Sequence, residues 1–276
     1  GTCKGVKAIG WFIDEYGVAQ ISMNITDINK TSLHKAFEEC RKSANKRGLR
    51  VTGSELVGLV PKKVLLEAGK YFLEQQDRST GVSESELIHI AIKSMGLDEL
   101  GKFDPQQKVI EYQLENAASR PLVHKNLIEF ADETASDSPA PGGGSISAYV
   151  GALGISLSGM VANLSAGKRG WENQIAYFSD EAEKAQSLKN HLLRLVDEDT
   201  NAFNMIIDAI RMPKGSESEK QARSMAISDA TKNAIEVPMM IMDVCMKSYV
   251  LIKDMAKKGN PNSISDAGVA ALCARA

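Results

Sequence analysis

The stretch LVDEDTNAF, Leu195 to Phe203, carries three carboxylates, and only one of them falls on an apolar helical face. Steps of three and four through Leu188, Leu192, Leu195, Asp199, Ala202 and Ile206 trace one stripe of an α-helix, with Asp199 inside it. A lone carboxylate on a core-facing stripe loses hydration and must gain partners or a proton. A carboxyl group whose pKa is raised toward neutrality suits general acid–base work. A buried carboxylate can equally cap a neighbouring helix, and the pattern leaves both uses open. Asp197 and Glu198 fall on other faces, with Arg194 placed to pair with Glu198 at i+4.

A second candidate is SPAPGGGS, where Gly142, Gly143 and Gly144 precede Ser145 and open onto a long uncharged segment. A phosphate loop of the Gly-Lys-Ser/Thr type needs a lysine that is absent here, and a dinucleotide fingerprint needs a preceding strand, which DETASDSPAP does not supply. What remains is a tight turn that lets bare backbone approach something closely, with free N–H groups at a helix start for a carboxylate or carbonyl. Close helix packing alone accounts for the same glycines. A third candidate, AGKRG, places Lys168 and Arg169 after a helix with no other charge. They complement the helix dipole or grip an anion. In GNPNSISD, Asn260, Asn262 and Asp266 sit in a turn leading into another helix, where capping is the plain role. His34, His89, His124 and His191 show no ligand spacing, so no metal site is expected.

These residues need a scaffold, and 276 residues suffice for two domains. A net charge of −2 gives no basis for nucleic-acid binding through bulk charge. Cys3, Cys40, Cys245 and Cys273 form no CxxC pair, which fits reduced thiols in a cytoplasmic protein. From Gly142 to Gly167 no residue is charged. The run is long enough for a membrane span, but it is rich in Gly, Ser and Ala and has no companion of similar length. It reads as the central helix of a bundle, and no membrane span is expected.

The first part reads as α+β. KAIGWFI and VAQISMNIT are strand-like and joined by DEYG, and Ile21, Met23 and Ile25 alternate with polar residues. Thr31 is expected to cap a helix through Leu33, Phe37 and Cys40, stopped by Gly48. VTGSELVGLV is strand-like, Pro61 opens a second helix, SESE caps a third that stops at Gly96, and VIEYQL reads as a last strand. The expected architecture is an N-terminal α/β sandwich, a ferredoxin-like sheet with helices on one face, followed by an all-α helical bundle. The pattern breaks at NAASRPL, after which strands cease. The domains are read as 1–115, a linker at 116–122, and 123–276. In the bundle, helices are expected near Leu127, from Gly142, from about Asp180 to Met212, and from about Ser216 past Pro238 to Ala256. So much uncharged helix surface invites a partner.

Together the pieces resemble a known family. APGGGS opening an uncharged helix, GKR, LVDEDTNAF and GNPNSISD stand in the order found in the cyclodeaminase domain of the formiminotransferase-cyclodeaminases. KAIGWFIDEYGVAQISMNITD, GSELVGLVP and FDPQQKVIEY are similar to the second subdomain of that family's formiminotransferase module. The resemblance covers nearly the whole chain. It implies that residues 1–115 are the C-terminal subdomain of the transferase and that 123–276 are a cyclodeaminase bundle lacking its last helices. It implies work on tetrahydrofolate, as substrate and in polyglutamylated form, in the one-carbon metabolism of histidine degradation. In the bifunctional family a transferase moves a formimino group from formiminoglutamate to N5 of the folate, and a cyclodeaminase closes the ring onto N10 with loss of ammonia.

The resemblance carries the catalytic role to Asp199. Folate contacts fall on Gly142, Gly143, Gly144, Ser145, Lys168, Arg169, Asn260 and Asp266, without a metal. It also implies a homo-oligomer assembled through the helical domain. The family's transferase histidine and glycine-rich folate loop belong to an upstream subdomain, and none of the four histidines here takes that place. Formimino transfer is therefore not expected of this chain alone. Two other functions fit the same residues: a methenyltetrahydrofolate cyclohydrolase, and a non-catalytic folate-binding or assembly module.

Overall fold

The computed structural model describes residues 3–15, 17–114 and 121–276. The chain forms two compact units, Gly1–Glu115 and Asn116–Ala276. Most of the expected linker, 116–120, lies outside the described residues.

In the first unit β1 (Val6–Ile13) and β2 (Val18–Ile25) form an antiparallel hairpin, with Gly10 opposite Ile21 and Trp11 opposite Gln20. Helices α1 (Leu33–Asn45), α2 (Lys62–Glu74) and α3 (Glu84–Met95) follow. Ser32, not Thr31, occupies the N-cap of α1, and the Thr31 hydroxyl instead donates to the Lys4 carbonyl at 2.8 Å. Ser83 caps α3 by accepting from the Glu86 amide, and Gly96 ends it in the left-handed conformation. The core lies between α2 and α3, around Leu65, Ala68, Ala91 and Met95. Each such buried aliphatic side chain contributes about 1.5–3 kcal/mol through lost apolar exposure.

The order α+β then all-α is as read, but the sheet is narrower: among the described residues it has two strands. VTGSELVGLV runs as a loop whose Ser54 amide and hydroxyl donate to the Gly96 and Met95 carbonyls that end α3. With those groups engaged, only an isolated parallel bridge, Val60 to Val109, remains. After the single turn α4 (Pro105–Lys108), most of VIEYQL coils into α5 (Ile110–Leu114). This lets the Glu111 carboxylate accept the Lys62 amide at the start of α2, at 2.6 Å. Tertiary capping thus overrides the strand preference of a β-branched start.

The second unit is helical. Asn126 and Glu129 form a capping box for α6 (Leu127–Thr134). Next come α7 (Gly143–Ala166), α8 (Ile175–Arg211), α9 (Glu217–Lys258) and α10 (Ile264–Arg275). α9 is one helix straight through Pro238. Helix α7 is the hub. A Cβ on Gly151 would stand 2.8 Å from Cys245 Sγ of α9 and 3.1 Å from Leu192 Cδ1 of α8, and one on Gly154 would stand 2.7 Å from Cys273 Cβ of α10. Small residues let three helices close on α7, which explains its Gly- and Ala-rich composition. Its length and apolarity would suffice to cross a membrane, but 56% of its most apolar window is buried inside the bundle. The remaining face stays open, with Leu153, Met160 and Leu164 exposed.

Candidate functional site

Asp199 lies on α8 beside the first turn of α7. Ser145 supplies the third N–H of that turn, which no residue inside the helix can accept. It donates to Asp199 Oδ2 at 2.9 Å. The Ser145 hydroxyl lies 2.8 Å from the Val196 carbonyl, 3.1 Å from Asp199 Oδ2 and 3.2 Å from the Thr200 hydroxyl. A hydroxyl has one proton to donate, so the three contacts share it. A Cβ on Gly144 would land on the Asp199 carboxylate. Glycine is what allows the backbone so close.

Asp199 is half-buried and lines a hollow of about 160 Å³ with Pro139, Ala140, Gly142, Thr200, Phe203 and Ala234. Among the described residues no donor meets Asp199 Oδ1. The carboxylate therefore caps a neighbouring helix and faces a cavity at once; the two uses left open by the sequence coexist. Asp199 is less buried than its place in the stripe suggests. The hollow is smaller than the roughly 300–1,000 Å³ of small-molecule sites, so it takes part of a ligand.

The remaining candidates divide. Gly142 lines the hollow, but Gly143 and Gly144 do not. Ser145 is 0% exposed, so its side chain meets Asp199 and not a ligand. Lys168, Arg169, Asn260 and Asp266 lie toward the other end of α7. Its 24 residues span about 36 Å at 1.5 Å per residue. There the Lys168 ammonium sits 4.0 Å from the centre of the Trp171 ring, and Arg169 is exposed. The Asn260 amide donates to Ser165 Oγ at 2.8 Å, and its side chain accepts from the Asn262 amide, the capping role. Asp266 is in the first turn of α10. Nearby, Asp254 accepts from Tyr177 and Lys258, both at 2.9 Å, and the Lys258 ammonium holds its carboxyl below the usual carboxylate range. Within one chain these residues cannot share a ligand with Asp199 unless it spans the helix.

Asp197, expected to point elsewhere, is 2% exposed. Its two oxygens accept the Leu122 and Val123 amides at 2.8 and 3.3 Å. It ties the start of the second unit to α8. A single-stripe reading misses it because α8 packs against both α7 and α9. Thr200 and Phe203 were also missed; they stand one and four places after Asp199, where a helix presents neighbours to one hollow. Among the described residues no three His, Cys, Asp or Glu side chains gather as metal ligands would.

A family model described as Formiminotransferase-cyclodeaminase matches residues 126–276, and one described as Formiminotransferase domain matches residues 1–115. The formimidoyltransferase-cyclodeaminase of Mus musculus is 34% identical over 272 residues, 98% of this chain and 50% of that protein. The chain thus spans about half the length of the curated relatives it matches over nearly its whole length. The methenyltetrahydrofolate cyclohydrolase of Methylorubrum extorquens is 40% identical over 153 residues, 55% of this chain and 74% of that one. A crystal structure described as formiminotetrahydrofolate cyclodeaminase from Thermotoga maritima matches with a TM-score of 0.48 and 30% identity, covering 55% of this chain and 72% of that one.

Proposed function

The chain belongs to the formiminotransferase-cyclodeaminase family, and from that premise we propose that its helical unit closes the ring of 5-formiminotetrahydrofolate to 5,10-methenyltetrahydrofolate, releasing ammonia. The observation that carries this is the Asp199 carboxylate, anchored by the Ser145 amide through Oδ2 and bordering a hollow with Oδ1 unclaimed.

The chemistry needs one proton moved between two nitrogens. N10 attacks the carbon of the protonated formimino group on N5, forming the C–N10 bond and leaving an amino group on that carbon. Asp199 accepts the N10 proton and returns it to the amino nitrogen, which departs as ammonia while its C–N bond breaks. The methenyl bridge keeps the positive charge, so protons and charge balance. A carboxylate fixed at a helix start can do both transfers without leaving its place. Phe203 and Ala234 give the hollow an apolar wall suited to the flat edge of a pterin.

Folate carboxylates, several in a polyglutamate tail, are matched by the Lys168–Arg169 pair. The first unit belongs to the transferase half, which in the bifunctional arrangement loads the formimino group. Four free thiols fit a cytoplasmic setting. A second reading, hydrolysis of the methenyl compound at the same aspartate, is favoured by the likeness to the Methylorubrum extorquens cyclohydrolase.

Ammonia release from 5-formiminotetrahydrofolate tests the proposal. The chain should release it, and Asp199→Asn should lower turnover by about 10²–10⁴-fold, the usual worth of general acid–base catalysis, with the fold retained. Turnover of the methenyl compound with no ammonia from the formimino compound selects the hydrolase. Ammonia release undiminished in Asp199→Asn rejects the proton shuttle.

A further inference from the structure

The geometry points to a binding site for a soft monovalent metal ion, copper(I), in the first unit, held by the thiols of Cys3 and Cys40 and the thioether of Met23. Cys40 Sγ lies 3.7 Å from Met23 Sδ. All three side chains are half-buried, so the sulfurs are sheltered yet within reach of an ion. The folate reading uses none of them.

Three separate elements deliver the sulfurs. Met23 stands on β2 opposite Ala8. Cys40 lies on α1 one turn after Ala36, which is buried, so both occupy the inward face of that helix. Cys3 belongs to the segment before β1, and two anchors hold the residues that follow it. The Lys4 carbonyl accepts from the Thr31 hydroxyl at 2.8 Å, just before α1. The Gly5 carbonyl accepts from the Thr26 amide at 2.8 Å and the Thr26 hydroxyl at 2.9 Å, just after β2. Gly5 itself is left-handed, with φ of 75°, which turns the chain between Cys3 and the strand. Cys3 is near enough for its charge to be felt: burial first, and then Cys3, push the Cys40 thiol above its ordinary range.

The spacing and the chemistry select the ion. Metal–sulfur bonds of about 2.3 Å set two ligands of one trigonal or tetrahedral ion about 3.7–4.0 Å apart. Cys40 and Met23 already stand at that separation. Two thiolates with a thioether are the soft set that takes copper(I), whereas magnesium and calcium require oxygen donors. Zinc takes thiolate, imidazole or carboxylate, and a thioether is not among its ligands. Binding forms three metal–sulfur bonds and releases the two thiol protons, with no electron transferred. A cation between the sulfurs also relieves the repulsion that two neighbouring thiolates would suffer.

Titration of the intact, reduced chain with copper(I) under anaerobic conditions, against bicinchoninate as competing chelator, tests the site without any turnover. One copper(I) per chain should be retained at this site, with two protons released. Cys3→Ser and Cys40→Ser should each weaken binding by more than about 100-fold, beyond what loss of an outer-shell partner costs. Met23→Leu keeps the side-chain volume and should weaken it by about 10-fold. Cys273→Ser should leave it unchanged. No retained copper(I), retention that survives both serine variants, or loss on Cys273→Ser overturns the inference. If a serine variant does not fold, alkylation of the wild-type chain with N-ethylmaleimide decides, with silver(I) as the probe ion. Protection of Cys3 and Cys40 by silver(I), with Cys273 still labelled, supports the site; equal labelling with and without silver(I) rejects it.

Discussion

Asp197 and Asp199 stand two residues apart on α8, and each accepts backbone N–H groups from a segment that packs against it. Asp197 is enclosed, and both its oxygens are taken by the Leu122 and Val123 amides. Asp199 is half-exposed to a hollow and spends one oxygen on Ser145. One helix thus carries the same side chain as a fastener on one face and, on the next, with one oxygen unclaimed beside a hollow. The difference is made by neighbours: closed packing over Asp197, and a wall of proline, glycine and alanine beside Asp199. A buried carboxylate is not by itself a catalytic one; an unclaimed oxygen beside open volume is the added requirement.

Substitutions can separate the two roles. The largest change in stability is expected from Asp197→Ala, which strands the buried Leu122 amide and the half-buried Val123 amide, at about 1–3 kcal/mol for a buried group. A loss of about 3 kcal/mol, or about 10 °C in the melting temperature of a unit this size, should appear in thermal unfolding. An unchanged melting temperature would show that water replaces the carboxylate. Gly144→Ala comes next: the added methyl displaces the Asp199 carboxylate, at about 1–3 kcal/mol for overpacking. It should lose turnover along with Asp199→Asn, and a fully active Gly144→Ala would mean that the position of Asp199 is unimportant. Asp199→Asn itself should shift stability by less than about 1 kcal/mol, because the amide oxygen still accepts from Ser145. A melting temperature lowered as far as in Asp197→Ala would erase the contrast and leave Asp199 a fastener as well.

The smallest effect distinguishes the two units rather than the two aspartates. In the first unit the His34 ring stacks on Tyr71 at 4.6 Å, and burial pushes its pKa below the ordinary histidine range, with Glu67, Glu74 and Glu38 offsetting part of the push and Lys35 adding to it. The unfolded chain therefore takes up this proton first as pH falls. The His34 contribution is whole above about pH 6.5 and declines below it. Melts of His34→Gln should lack that slope while ammonia release stays unchanged. A slope that survives the substitution belongs to other groups.

Asp199 was legible because one polar residue interrupts an otherwise apolar stripe. Asp197 was not, because α8 buries side chains on more than one face and a long helix between two neighbours has no single stripe. The hairpin could be read from alternation, and the caps at Ser83 and Gly96 from residue type. VIEYQL could not: a run that begins Val-Ile favours a strand, and only the Glu111 contact with α2 makes a helix of it. The distance between the glycine turn and the GKR pair was available in principle. An uncharged run of that length, taken as one rigid helix, already puts its ends far apart; motifs compared in order along the chain do not show it.

Pro238 sits inside α9 and has no N–H, so the rung that would close on the carbonyl of Ala234, one turn earlier, cannot form. Ala234 is also part of the wall around Asp199. An imino acid in the middle of a long helix thereby removes one rung next to a residue that borders the hollow. The proline of one helix and the aspartate of another are thus linked through a single alanine that borders the same cavity.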